Sequence, residues 1–134
     1  MNAESSQTDR YVNGECVEIE AAAILRSRLR PGDRLFRGVT RLPARLASLA
    51  AWYREEHHNP DFLIVRLDGT VEETEATRSL HTPKPKALAY SAVRAHSHGI
   101  RYEVLYLNKR CDSRGKSEVE FLAQREGFTL TEVP

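Results

Sequence analysis

The chain has 134 residues, 40% of them hydrophobic, which is enough for one domain with a single modest core and too little for two domains. Lys and Arg number 20 against 19 Asp and Glu, and the net charge of +1 excludes an overall field that would attract nucleic acid or membrane. No run approaches the roughly 20 apolar residues that span a bilayer, so we expect a soluble, cytoplasmic protein, of the producing or a target cell, without membrane partners.

The amino-terminal segment differs in composition from the rest of the chain. Residues 1–15 are rich in Ser, Asn, Gln and Glu and poor in large apolar side chains, which predicts a flexible tail. Residues 16–134 are expected to form one domain. Cys16 and Cys111 are far apart in polar surroundings, so they indicate neither a disulfide framework nor a zinc site.

The first half of the chain predicts two helices and a strand. Apolar residues recur at helical spacing from Val17 to Leu29, and Pro31-Gly32-Asp33 predicts the end of that helix. The run 34–39 predicts a short strand. Leucines and a tyrosine then repeat at i, i+4, i+7 and i+11, which predicts a helix over 42–56.

The second half predicts mostly strands. Asp68-Gly69 after an apolar run is typical of a hairpin turn. The elements expected in order are a hairpin from 62 to 71, an extended segment at 78–83, a helix at 87–96, a strand at 100–107, a charged loop at 108–116 and strands at 119–122 and 128–133. Helices and strands do not alternate regularly, so the pattern predicts an α+β fold.

The stretch Ser117-Glu118-Val119-Glu120-Phe121-Leu122 is a candidate functional motif. Read as a strand, it places Glu118 and Glu120 on one face, about 7 Å apart. Two carboxylates on one surface suit a reaction that develops positive charge. Two other Glu-x-Glu triplets, at 18–20 and 73–75, are more simply read as solvated faces.

Three segments within residues 33–133 resemble signature regions of ADP-ribosyltransferases of the arginine-serine-glutamate branch, which includes bacterial toxins. They are Leu35-Phe36-Arg37-Gly38, Ser79-Leu80-His81-Thr82-Pro83, and the Glu118–Leu122 stretch followed by Gly127-Phe128. In the middle segment His81 and Pro83 stand where the family has serines, and only Thr82 matches. Imidazole can donate from one nitrogen and accept on the other, so His81 can replace one serine.

The resemblance implies an ADP-ribosyltransferase-like split β-sandwich with flanking helices, acting as an NAD-dependent mono-ADP-ribosyltransferase. Glu120 would stabilise the ribose and Glu118 would activate the acceptor. Arg37 and Gly38, together with His81 and Thr82, would bind NAD as substrate, and no metal would be needed. The acceptor would be a macromolecule, either a protein, for instance at arginine, or a nucleic acid, and the enzyme would be a monomer.

Two alternatives remain open on the sequence alone. In the first, water accepts the ribosyl group and the enzyme is an NAD glycohydrolase. In the second, the chain is a non-catalytic module that binds protein or nucleic acid. The second is supported by a local basic stretch, formed by the arginines at 26, 28, 30, 34, 37, 41 and 45.

Overall fold

A computed structural model describes residues 17–107 and 113–133. The predicted tail at 1–15, both cysteines and residues 108–112 of the predicted loop lie outside the described residues. The described elements, in chain order, are α1 (17–27), β1 (Arg34–Arg37), a 3₁₀ turn (Ala44–Leu46), α2 (Ala47–Glu55), β2 (Phe62–Val65), β3 (Val71–Thr77), α3 (Lys84–Ser97), β4 (Arg101–Leu107), α4 (Ser113–Glu126) and β5 (Thr129–Val133).

The five strands form one sheet in the order β1-β2-β3-β4-β5. β1, β2 and β3 are antiparallel neighbours, whereas β4 is parallel to β3 and β5 is parallel to β4. Parallel neighbours need crossover connections, and α3 and α4 supply them. Because such crossovers are right-handed, both helices cover the same face of the sheet and run parallel to each other.

Each face of the sheet packs on a separate hydrophobic cluster. On one face α2, α3 and α4 pack around residues that include Leu63, Val104 and Tyr106. On the other face α1 packs on a smaller cluster that includes Phe62 and Leu105. Every residue of β2 is buried, because this strand is covered on both faces.

Gly115 fixes how closely α4 approaches the segment that follows β3. A Cβ atom added at Gly115 would lie 2.0 Å from the carbonyl oxygen of Leu80. A glycine in a helix interior normally costs about 1 kcal/mol relative to alanine, so its presence here is explained by this backbone contact. The start of α4 is thereby held against the end of β3.

The strand predicted at 119–122 is wrong, because these residues lie in the middle of α4. The loop predicted at 108–116 is also wrong from Ser113 onward, where the helix begins. Glu118 to Phe121 alternates polar and apolar residues, but the buried residues of the segment, Val119, Leu122 and Ala123, follow the helical period. A crossover is also required between the parallel strands β4 and β5, and the helix provides it.

The mixed helix and strand content agrees with the predicted α+β class. The described residues contain one five-stranded sheet instead of the two packed sheets of the expected split β-sandwich. The hairpin at the Asp68-Gly69 turn, the first three helices and the strands β1, β4 and β5 are confirmed with small changes of their bounds. None of the helices within 17–107 and 113–133 is both long and apolar enough to cross a membrane.

Candidate functional site: a carboxylate pair at the end of the central strands

Asp61 and Glu75 face each other across β2 and β3. Phe62 pairs with Thr74 in the antiparallel ladder, so the next step of the register sets Asp61 opposite Glu75. The backbone N–H of Ala76 donates to Asp61 Oδ2 at 3.0 Å, which anchors the aspartate at the end of the ladder. The charge of Glu75 acts on Asp61, so the two carboxyl groups are close neighbours.

When Asp61 and Glu75 are both ionised, the repulsion between their carboxylates destabilises the folded state. Burial, followed by the charge of Glu75, raises the pKa of Asp61 to about 7. Two carboxylates this close cannot both be ionised in a partly buried place unless something positive balances them. The pair must therefore hold a proton or bind a cation.

Lys84 places an ammonium group beside the pair. Its Nζ lies 3.2 Å from Glu75 Oε1, and the side chains of Lys84 and Glu75 are 35% and 18% exposed. Lys84 is the first residue of α3, and Pro85 follows it in the first turn, where a missing N–H is tolerated. The start of the crossover helix therefore presents the lysine to the carboxylates at the end of β3.

A second buried carboxylate lies two residues earlier on the same strand. Glu73 is 1% exposed; it accepts a hydrogen bond from the Tyr53 hydroxyl at 2.7 Å and lies 2.7 Å from His58 Nε2. Burial, followed by the charge of Glu73, raises the pKa of Tyr53 well above its usual range. Because side chains alternate along a strand, Glu73 and Glu75 share one face, about 7 Å apart.

The turn after α2 explains how His58 reaches Glu73. His57 adopts the left-handed conformation, with φ 53°, and the N–H of His58 donates to the carbonyl of Tyr53 at 3.1 Å. This geometry ends the helix and returns the chain toward β2. Tyr53, His58 and Glu73 thus form a hydrogen-bonded group on the same face of the sheet as the Asp61–Glu75 pair.

Basic side chains border the edge of the sheet where the pair lies. Arg37 ends β1, Arg78 follows β3, and Lys84 and Lys86 lie in the first turn of α3. All these points fall at one edge, since β2 begins where its neighbours β1 and β3 end. In the described part of the chain, Arg78 Nε is a buried nitrogen without a hydrogen-bond partner.

The structure separates the two carboxylates that the sequence motif joins. On a helix, residues two apart point about 200° away from each other, so Glu118 and Glu120 do not share a face. Glu118 is half-buried on the side of α4 toward α3. Glu120 is exposed, and its Oε1 lies 3.9 Å from Lys116 Nζ.

The residues expected to bind NAD are also dispersed. Arg37 pairs with Glu18 and lies over the ring of Phe62, 5.9 Å from its centroid, on the face covered by α1. Gly38 follows it at the end of β1, three strands or about 14 Å from β4. His81 and Thr82 are exposed between β3 and α3. Arg37 lies apart from Glu118 and Glu120, which are on a helix that covers the opposite face of the sheet. His81 and Thr82 follow Leu80, whose carbonyl packs against Gly115 near the start of that helix.

Sequence reasoning missed Asp61, Glu75 and Lys84. Glu75 belonged to a triplet that was read as a solvated face, and Asp61 lay between the predicted helix and the predicted hairpin and was not singled out. The hairpin at Asp68-Gly69 carries the missing signal. Counting back along its two strands sets Asp61 opposite Glu75.

The donor set can be tested against the needs of a metal ion. Within 17–107 and 113–133, no group of three or more Cys, His, Asp and Glu side chains could enclose a metal. The Asp61–Glu75 pair offers carboxylate oxygens from two residues and leaves the other positions open. Mg²⁺ is commonly bound in this way, by one or two carboxylates with water and substrate phosphate as the remaining ligands.

Comparisons with known proteins do not identify the chain. No family model, no curated protein and no solved structure matches it. Functional inference therefore starts from the geometry of the site.

Proposed function

We propose that this protein is a divalent-metal-dependent phosphodiesterase that cleaves nucleic acid at the Asp61–Glu75 pair. The observation that carries the proposal is that Asp61 lies opposite Glu75 in the β2–β3 ladder, with the ammonium of Lys84 3.2 Å from Glu75. A structural ion pair would need one carboxylate for one lysine. The second carboxylate leaves negative charge that a divalent cation can balance.

Carboxylates and lysine have separate roles in this proposal. Asp61 and Glu75 hold the cation at the end of the central strands, and Asp61 is kept in place by the N–H of Ala76. When bound, the cation polarises a phosphoryl oxygen and lowers the pKa of a water molecule. Lys84 stabilises the negative charge that builds on the phosphate in the transition state. These are the components of hydrolysis by an attacking water.

The reaction balances without a further reagent. The water oxygen forms a bond to phosphorus, and the bond from phosphorus to the leaving oxygen breaks. The leaving oxygen takes up one proton, and the proton lost by the water passes to solvent. Neither a redox cofactor nor a covalent intermediate is required.

The choice of nucleic acid as substrate follows from the charge around the pair. Arg78 directly follows β3, and exposed arginines lie between β1 and α2 at Arg41 and Arg45. Phosphate backbones are bound largely by such side chains. This agrees with the basic stretch noted in the sequence.

The test is cleavage of supercoiled plasmid, linear duplex, single-stranded DNA and RNA with Mg²⁺ or Mn²⁺. Asp61→Asn and Glu75→Gln should each abolish metal-dependent cleavage. Glu118→Gln and Glu120→Gln are matched controls, since they remove a carboxylate from α4, and both should cleave at the wild-type rate. Absence of cleavage of all four substrates by wild-type protein, with either metal, contradicts the proposal.

The ADP-ribosyltransferase hypothesis, with NAD glycohydrolase as its alternative, stays a prediction. It no longer rests on a strand with two carboxylates, because that segment is helical. Labelled NAD with a cell lysate tests it in the same preparation. Label transfer or nicotinamide release that is lost in Glu120→Gln and kept in Asp61→Asn would support it over the phosphodiesterase.

A further inference from the structure

Exposed apolar side chains are concentrated at one groove between α3 and α4. In the described residues, five large hydrophobic side chains are exposed, and three of them line this groove. These are Tyr90 (67% exposed), Val93 (47%) and Phe121 (62%). Scattered single residues are normal on a surface, whereas a cluster with a polar rim is typical of an interaction site.

The groove is a shaped surface with ordered edges. It encloses about 480 Å³ and includes Ala89 and Leu122, which are buried. The guanidinium of Arg125 lies over the ring of Phe121, 5.8 Å from the centroid, and that of Arg94 lies over Tyr90 at 5.4 Å. Arginine and aromatic side chains together are enriched in protein interfaces.

One stripe of α4 is complementary to itself. Glu118, Phe121 and Arg125 are spaced at i, i+3 and i+7, so they lie along one side of the helix. The stripe carries a carboxylate at its start, an aromatic ring at its centre and a guanidinium at its end, where Arg125 Nε also lies 2.9 Å from Glu126 Oε1 of the same helix. Turned through 180° about an axis through Phe121, it sets each Glu118 opposite an Arg125.

We infer that the α3–α4 groove binds the same groove of a second copy of this chain, with the two α4 helices antiparallel. Such an isologous contact forms each Glu118–Arg125 pair twice, because residue i meets j and j meets i. Tyr90, Val93 and Phe121 become buried at its centre. The inference does not rest on the proposed phosphodiesterase activity.

The size of the groove predicts a weak dimer. A helix of 14 residues is about 21 Å long, and two adjacent helices are about 20 Å wide. This face covers on the order of 400 Å² per copy, against about 800 Å² in a stable interface. We therefore expect dissociation in the micromolar range.

Sedimentation equilibrium of the full chain from 1 to 500 µM tests the inference. Wild-type protein should pass from monomer to dimer, and Phe121→Asp should weaken the dimer at least tenfold. Glu118→Arg and Arg125→Glu should each do the same, since each places like charges opposite one another twice. The double variant Glu118→Arg/Arg125→Glu should restore the dimer, which loss of folding could not produce.

Glu120→Arg is the matched control, because it reverses a charge on the exposed side of α4 and should leave dimerisation unchanged. Three outcomes would overturn the inference. They are a wild-type chain that stays monomeric to 500 µM, a double variant no better than its parents, and a Glu120→Arg effect equal to that of Glu118→Arg. A monomeric chain would leave the groove to a different protein.

Discussion

Replacing Asp61 by asparagine should stabilise the metal-free protein at pH 8. The pKa of Asp61 is raised from 3.8 to about 7, and each pKa unit corresponds to about 1.4 kcal/mol. Because the folded state binds the proton more tightly than the unfolded state, the wild-type protein loses stability as the pH rises from about 4 to 7. Above pH 7 the loss in the free energy of unfolding reaches at most about 4 kcal/mol.

Asparagine keeps an oxygen that can accept the N–H of Ala76 and removes the charge that faces Glu75. The buried amide lacks a full set of hydrogen-bond partners, which offsets part of the stabilisation. We therefore expect the free energy of unfolding to rise by about 2 kcal/mol, half of the upper bound. For a chain of this length that corresponds to a rise in Tm on the order of 8 °C. At pH 4 wild-type Asp61 carries its proton in the folded state, so only the cost of the amide remains and Asp61→Asn should melt below wild type.

The assay is calorimetry between pH 4 and pH 8 in the presence of a chelator, followed by the same scans with Mg²⁺. Mg²⁺ should raise the Tm of wild-type protein and leave Asp61→Asn unchanged. Asp68→Asn is the control, because hydrogen bonds from Thr70 lower the pKa of Asp68 instead of raising it. Removing the charge of Asp68 should therefore not stabilise the protein at pH 8. An Asp61→Asn variant that gains nothing between pH 4 and pH 8 would refute the electrostatic reasoning.

Three further substitutions test other parts of the structure. Lys84→Met should lower single-turnover cleavage about 10²-fold. Lys86→Met should leave it unchanged, because Lys86 lies on another side of α3, in the groove with Glu118 and Phe121; equal effects on the cleavage step would contradict the assignment. Gly115→Ala should destabilise the protein by about 2 kcal/mol in urea unfolding, because the added methyl group overlaps the backbone of Leu80. If the variant is instead more stable, as is usual when alanine replaces glycine in a helix, the contact is absent. Glu73→Ala should lower the free energy of unfolding by about 3 kcal/mol in the same assay, because Tyr53 and His58 lose their hydrogen-bond partner. An unchanged stability would exclude a structural role for this carboxylate.

Local sequence signals predicted most of the elements and misassigned one. The turn at Asp68-Gly69 and the apolar run before it were sufficient for the β2–β3 hairpin. In α4 a short alternation of polar and apolar residues competed with a helical period carried by Val119, Leu122 and Ala123. The length of the segment favours the helix, since its fourteen residues are enough for a crossover between parallel strands. Because α4 was predicted as a loop and a strand, the parallel pairing of β4 with β5 was not predicted either.

The site was harder to predict because it depends on pairing between segments. Asp61 and Glu75 are fourteen positions apart in the numbering, and only the register of the hairpin sets them opposite each other. That much was available from the turn. Lys84 was not, because its distance from Glu75 depends on where α3 begins and on how the crossover packs against β4.

The place of the site follows from the topology of the sheet. β3 is antiparallel to β2 and parallel to β4, so the start of β2 and the ends of β3 and β4 meet at one edge. The crossover that begins there must leave the sheet. Asp61, Glu75 and Lys84 come from three chain segments that meet at this edge, namely the start of β2, the end of β3 and the start of α3. Under the proposed function, a cation and a phosphate would approach the pair from this edge, whereas a carboxylate pair in the middle of the core would have no access to a substrate.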